Sequence, residues 1–397
     1  MRFPEFSGEW HSIILNDLCS LITKGTTPKE FSKGDVNFVK IESLNGIYIL
    51  KENCATITSE IHNNELRRSI LEQDDILFAI AGATVGKIGI VTNDILPANT
   101  NQALAIIRLK EKSQKDFLLF VLGSATMKKY IFQSMSVGAQ PNLSLAQINN
   151  FKFNTPTLPE QTKIAALLSV ITDRINTQSK IIEHQESLMK GLIRQIFSQQ
   201  LRFRDENGND FSEWKKKRLG EIAEIVGGGT PETTKPEYWN GNFNWFTPTE
   251  IKQKYIEESN RKVTALGIQK SSAKILPKNT LLFTSRATIG DVGITKVECS
   301  TNQGFQSFLP NEKYETEFLY YWLKAHKKKF IRKSSGSTFI EISKGEMQKI
   351  RIQIPSIQEQ SKIAKFLSSF DERLEKEKQI LTHYKQQKKH LLQNLFV

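Results

Sequence analysis

The sequence predicts an α/β (α+β) protein built as a pseudo-twofold tandem repeat, two globules separated by two long antiparallel coiled-coil helices. Three observations predict it. "PTLPEQTKIAALLSVITDRI", from Pro156, returns 199 residues later as "PSIQEQSKIAKFLSSFDERL", from Pro355, and the offset holds to the end of the chain. Beyond Pro159, the stretches up to 200 and from 358 to 396 contain no proline and a single glycine, Gly191. Their apolar residues recur at alternating steps of three and four, the period of a helix seam. The remaining stretches, 1–155 and 215–354, mix strand-like and helix-like patterns punctuated by turn residues.

In the first globule, "DDILFAI", "KIGIV" and "ALAIIRL" read as strands, and "FLLFVLGSATMKKYIF" as one helix. In the second, "NTLLFTS" and "DVGIT" read as strands, and "FLYYWLKAHKKKFI" as one helix. The globules also match each other. Trp10 pairs with Trp214, Leu15 with Leu219, and Gly25-Thr26 with Gly229-Thr230, while "TNQ" at 100–102 recurs at 301–303. The predicted domains are 1–157, the helix 158–204, 205–354, and the helix 355–397.

The first seam comprises Ile164, Leu168, Ile171, Ile175, Ile182, Met189, Leu192 and Ile196, interrupted by Gln178 and Gln185. The second comprises Ile363, Leu367, Phe370, Leu374, Leu381, Tyr384, Leu391 and Leu395, interrupted by Glu377 and Lys388. One amphipathic helix of this length cannot bury its stripe alone, and an antiparallel pair within the chain is the economical solution. The chain opens with "MRF", and Arg2-Phe3 matches Arg202-Phe203, which follow the first long helix. The first copy thus starts where the second would have continued, which places the two termini close together.

The stretch "GATVGKIG", 82–89, superficially suggests a phosphate loop. Only three residues separate Gly82 from Gly86, and Ile88 stands where a metal-binding hydroxyl is needed. Its counterpart, "RATIGDVG" at 286–293, has Asp291 in place of Lys87. An aspartate cannot neutralise phosphates, so both stretches read as glycine turns between short strands. Cys19, Cys54 and Cys299 are far apart, without metal-ligand spacing, which suits a reducing cytoplasm. His184 and His383 are repeat-equivalent and read as solvated. No apolar run is long enough to span a bilayer.

The net charge is +13, which favours an anionic partner, nucleic acid first. It is unevenly spread. Residues 1–157 carry 16 basic and 15 acidic side chains, and residues 205–354 carry 24 and 18. Two basic runs stand out in the second globule: "WKKKR" from Trp214, and Lys327, Lys328, Lys329, Arg332 and Lys333. The second run fits either a phosphate-positioning face or a plain solvated one.

Two unlike globules alternating with two near-identical helices, opened by "LPEQTKIAALL" and "IQEQSKIAKFL", resemble the specificity subunit of Type I restriction-modification enzymes. "FSGEW" and "FSEW" before the globules fit that family, as do "TIGDVGI" and "TNQGF" in the second copy. The first copy departs from it, with Gly82 where the second has Arg286 and Ala103 where it has Gly304. The resemblance implies that each globule is a target recognition domain reading one half of a split double-stranded DNA site, with the helices setting the spacing. It implies two modification (methyltransferase) subunits that methylate adenine with S-adenosylmethionine, and two restriction (motor-nuclease) subunits that use ATP and Mg. This chain would hold no cofactor and no catalytic group; no Asn/Asp-Pro-Pro-aromatic loop for a flipped adenine is present.

Base reading in the major groove suits Arg for guanine, Asn or Gln for adenine, and the Thr methyl for thymine. Loops rich in these types supply the DNA-contact candidates. In the first globule they are Lys24, Thr26, Thr27, Lys40, Asn101, Gln102, Gln140 and Asn142. In the second they are Thr230, Thr247, Thr249, Arg286, Asn302, Gln303, Ser337 and Thr338. The competing role for such residues is capping of turns and helices. Two other readings of the chain are an NTP- or S-adenosylmethionine-dependent enzyme and a coiled-coil scaffold without sequence preference.

Overall fold

Hydrogen-bonded strands close each globule at its base. In the computed structural model, which describes residues 2–31, 33–134, 142–335 and 340–396, His11–Ile14 pairs antiparallel with Lys152–Thr155. Lys215–Arg218 pairs in the same way with Arg351–Ile354. The chain divides into two units, Met1–Lys180 with Gln379–Val397, and Ile181–Lys378.

The first unit is built on a four-stranded antiparallel sheet in the order Cys19–Lys24, Leu104–Leu109, Ile76–Ala79, Ile88–Ile90. Its central strands are apolar at every position but one because both faces are covered; the exception, Arg108, pairs with buried Asp75 at 2.8 Å. Ile76, Phe78, Ala105 and Ile107 pack towards the helix Lys115–Leu122 and the long helix. Their alternates Leu77, Ala79, Leu104 and Ile106 pack with Val39, Val91 and Ile95. A three-stranded sheet of Ala55–Ile57, Val36–Val39 and Ala98–Thr100 lies beyond, its last pair parallel.

The second unit repeats this plan. Its main sheet runs Ala223–Gly227, Gln306–Pro310, Leu281–Phe283, Val292–Thr295, with Tyr255–Ile256 added in parallel at the edge. Its small sheet is Arg261–Val263, Trp239–Phe246, Cys299–Thr301. The five strands read from the sequence are all present. Each predicted globule helix is instead two helices. Lys115–Leu122 and Ala125–Ser134 are parted at Gly123, and Thr316–Ala325 and Lys327–Arg332 at His326. The apolar stripe continues across both breaks, so periodicity alone does not reveal them.

Leu158–Phe197 and Ile357–Asn394 form the two long helices, of 40 and 38 residues. In the first unit Ile164, Leu168 and Ile171 share a core with Leu391 and Leu395. There the Arg174 guanidinium lies 5.9 Å from the centre of the Tyr384 ring. In the second unit Met189 and Ile196 share a core with Ile363 and Leu367, and Lys378 pairs with Glu186 at 3.1 Å. In each unit the pairing runs antiparallel. The seam is buried where it meets a globule and half-buried at Ile175, Leu374, Leu381 and Tyr384. His184 and His383 are exposed.

The expected meeting of the chain ends is found inside the first unit. Trp10 and Phe396 both pack on Phe117, at 6.4 and 5.6 Å between ring centres. The uninterrupted second copy makes the same pair of contacts, Trp214 and Phe197 on Phe318, at 6.0 and 5.6 Å.

Candidate nucleic-acid interface

The repeated Glu-Gln pair anchors each globule to its helix. Glu160 is buried and accepts two hydrogen bonds from the Arg2 guanidinium, at 2.8 and 2.7 Å, and one from the Trp10 indole at 3.3 Å. Glu359 does the same with Arg202, at 3.2 and 2.9 Å, and Trp214, at 3.1 Å. The hydrogen bond to Glu359 raises the Arg202 pKa above its ordinary value. Gln161 and Gln360 each donate to a carbonyl five residues back, that of Pro156 and of Pro355. A second tie lies further along each helix. The Tyr48 hydroxyl donates to Asp173 at 2.8 Å, and burial pushes its pKa up to about 12. In the second unit the Tyr321 hydroxyl donates to Asp371, and Lys254 donates to Tyr321 at 3.0 Å and to Ser368 at 2.8 Å. Burial lowers the Lys254 pKa.

Apart from these ties, each unit has a hub made by the "TNQ" tripeptide. In the second unit Gly229 N–H bonds to Thr301 O at 2.8 Å, Asn302 N–H to Phe246 O at 3.1 Å, and Ser285 N–H to Gly304 O at 2.7 Å. Three loops carrying Thr230, Thr247 and Arg286 therefore converge on Asn302 and Gln303. In the first unit Thr26 N–H bonds to Thr100 O at 2.9 Å, and Ile80 N–H to Ala103 O at 2.9 Å. Val39 pairs with Thr100, which brings Lys40 to Asn101 and Gln102. Most of the sequence candidates thus cluster, within each unit, around one surface.

Their roles differ in detail. The Thr27 hydroxyl donates to the Gln102 side-chain oxygen, and the Thr230 hydroxyl to that of Gln303. This corrects the repeat register: Thr27 and not Thr26 corresponds to Thr230, and Gly25 corresponds to Gly228. Thr26 is half-buried, its hydroxyl without a partner. The Asn101 and Asn302 side chains accept from the N–H two residues on, at 3.2 and 2.9 Å, so their oxygens shape the turn. Thr247 caps a 3-10 turn, its hydroxyl bonded to Glu250 at 2.7 Å, while Thr249 is exposed beside it. For Thr247 the capping role has won. Lys40 occupies the matching position, its ammonium 4.6 Å from the ring centre of half-exposed Phe31. Lys24 and Gln102 are exposed.

Arg286 is half-exposed, and its Nε lies 2.8 Å from a Glu341 oxygen, off the line of a good hydrogen bond. Strand bridges set Arg286 opposite Glu341 and Ala81 opposite Asn142. The first-copy counterpart of Arg286 is therefore Ala81, not Gly82. Gly82 matches Ala287 instead, and both have positive φ, 78° and 57°. The first copy has one more residue in this loop. Gly86 and Gly290 also have positive φ, and a strand follows each, Ile88–Ile90 and Val292–Thr295, where a phosphate loop would lead into a helix. Asn142 is exposed. Gln140, Ser337 and Thr338 lie outside the described residues. Sequence reasoning missed Glu341 and Phe31; neither has a local signal, since each acts through a residue brought up by the fold. Among the described residues no cluster of His, Cys and carboxylates could hold a metal ion, and no helix is long and apolar enough to cross a membrane.

A model of the Type I restriction modification DNA specificity domain matches residues 7–184 and again 211–383. The Type I restriction enzyme MjaIX specificity subunit of Methanocaldococcus jannaschii is 39% identical over 171 residues, 42% of this chain and 40% of that one. The match therefore spans about two fifths of that relative's length. The MjaVIII specificity subunit of the same organism is 24% identical over 401 residues, covering 94% of this chain and 88% of the relative. Among solved structures, the S subunit of a Type-I restriction-modification system from M. genitalium has the same fold, with a TM-score of 0.61 at 17% identity, over 98% of this chain and 96% of that one.

Proposed function

We infer the function of the chain from its family: it belongs to the type I restriction modification DNA specificity family, whose model matches it twice. The chain is a DNA-binding specificity subunit that reads a bipartite, asymmetric double-stranded target. It directs adenine methylation and restriction by partner subunits, two for modification and two for motor-nuclease action. It does no chemistry itself. S-adenosylmethionine, ATP and Mg belong to those partners, and the assembly works in the cytoplasm.

The observation that carries this reading is the pair of equivalent hubs with unlike side chains. Both present a threonine hydroxyl bonded to a glutamine carboxamide, Thr27–Gln102 and Thr230–Gln303. That bond pre-orients the amide, whose N–H and remaining oxygen lone pair suit the N7 and N6 edge of adenine. Around this constant part the neighbours differ. The second hub has Arg286, a side chain suited to guanine, and the first has Ala81 with Lys40 nearby. Two readers with a common frame and different side chains read different half-sites. A scaffold without sequence preference would have no use for that difference.

Mapping methylated adenines in a genome, with the chain co-expressed with its modification subunit, tests the proposal. The expected motif is two unlike short half-sites separated by unread base pairs of fixed number. A palindromic motif, a contiguous one, or methylation without sequence preference contradicts it.

A further inference from the structure

The two basic runs of the second globule, more than a hundred residues apart in sequence, meet at one cavity. The strand Lys215–Arg218 brings Lys216, and the helix Lys327–Arg332 brings Lys329. The strand Arg351–Ile354, paired with the first, brings Arg351 and Gln353. The cavity is about 260 Å³, and no carboxylate lines it. Phe197, Trp322, His326 and Ile352 complete its lining. Burial lowers the pKa of both His326 and Lys329, and Lys216 and Arg351 supply the other basic side chains.

The first unit has the same cavity, about 300 Å³, with other chemistry. Ser12 stands in for Lys216, Lys152 for Arg351 and Asn154 for Gln353, by the register of the paired strands. A shared architectural gap thus holds three cations in the second unit and one, Lys152, in the first. The basic run on the helix also reaches the loop that carries Arg286, where Lys327 pairs with Asp291 at 2.6 Å.

The shape selects the anion. Trp322 is stacked on His326, with ring centres 4.3 Å apart and planes at 21°, and only 3% of Trp322 is exposed. The stack leaves the Trp322 ring no open face for a nucleobase. The same elements carry further exposed cations, Arg218 on the strand, two residues from Lys216, and Lys328 and Arg332 on the helix. A strip of positive charge around a cationic socket fits a polymeric anion better than a small one.

We propose that this cavity seats a backbone phosphate of DNA outside the recognised bases, making the second globule the electrostatic anchor of the chain. The proposal rests on the DNA-reading function above. Backbone phosphates carry no sequence information, so the socket adds affinity and orientation to both target and non-target DNA.

The test uses the chain in complex with its modification subunits. Lys216→Ala/Arg351→Ala removes two cations; Lys329 is left in place because it also donates to the Arg351 carbonyl, at 2.8 Å. Binding to a target duplex and to a non-target duplex is measured across salt concentrations. The expected result is a salt slope smaller by about one, at roughly 0.9 per phosphate contact. Affinity for both duplexes falls by the same factor, about tenfold or more at low salt, while the methylated sequence is unchanged. Lys152→Ala in the first unit has the smaller effect. An unchanged slope in an intact complex overturns the proposal. So does weakened assembly with the modification subunit at unchanged slope, which would mark an acidic protein contact. Binding of ATP that the double variant abolishes, again at unchanged slope, would mark a free-nucleotide site and also overturn it. If the unmodified complex fails to prefer the target duplex, the DNA-reading function itself fails, whatever the slopes do.

Discussion

Replacing Glu359 by alanine destabilises the second unit by about 3 kcal/mol, the range for breaking a buried charge pair from one side. Glu359 is 0% exposed and satisfies both the Arg202 guanidinium and the Trp214 indole. Alanine leaves Arg202 facing a void at the joint of globule and helix, with its side chain 23% exposed, and leaves the buried indole N–H without an acceptor. For a unit of this size, thermal unfolding shifts down by about 6–12 °C. Glu359→Gln keeps an acceptor for Trp214 and loses less. Glu160→Ala acts in the same direction in the first unit. A melting shift below about 2 °C for Glu359→Ala would mean that the Glu-Gln repeat serves something other than anchoring.

Gly228→Ala has the second large effect, and it strikes the surface proposed to read DNA. An added Cβ would sit 2.0 Å from the Asn302 carbonyl oxygen and 2.6 Å from that of Thr301. Both obstacles are backbone, so no side chain can swing away. The strand end must part from the hub that carries Asn302 and Gln303, and the Thr230–Gln303 bond goes with it. A loss of about 3 kcal/mol is expected, at the upper end for overpacking. Methylation at sites defined by the second half should disappear, because the carboxamide loses its orientation. Gly25 is held in the same way, 2.2 Å from the Asn101 carbonyl oxygen. Gly345, with nothing within 4 Å of its added Cβ, is the control in the same unit, and its alanine variant melts at or slightly above the parent temperature.

What was legible in the sequence is what a period or a repeat can carry. Ile76–Ala79 and Leu104–Leu109 announce a sheet covered on both faces. The seam from Ile164 to Ile196 announces a long helix with a partner. The recurrence of Glu160-Gln161 at Glu359-Gln360 marked an important position, but its partners, Arg2 with Trp10 and Arg202 with Trp214, lie more than a hundred residues away, and only the fold shows the joint. Register was less legible. Pairing Gly25-Thr26 with Gly229-Thr230 maximised identity, yet the closure of the loop pairs Thr27-Pro28 with Thr230-Pro231, and the shared proline was the overlooked signal. Arg286 was set against Gly82 because identity cannot see where an extra residue sits in a turn; positive φ at Gly82 and Ala287 decides it. The candidate site was legible as residue types in loops. Which of them face outward and which hold the turn depends on hydrogen bonds such as Thr247 to Glu250, and on these the sequence is silent.

Exchange of residues 205–354 for the corresponding globule of a family member with a different target is the most direct measurement of the central claim, with methylated adenines mapped before and after. The account predicts that one half of the motif changes while the other half, read by residues 1–157, and the number of unread base pairs between them stay as they were. A motif that changes in both halves, or in neither, would contradict it.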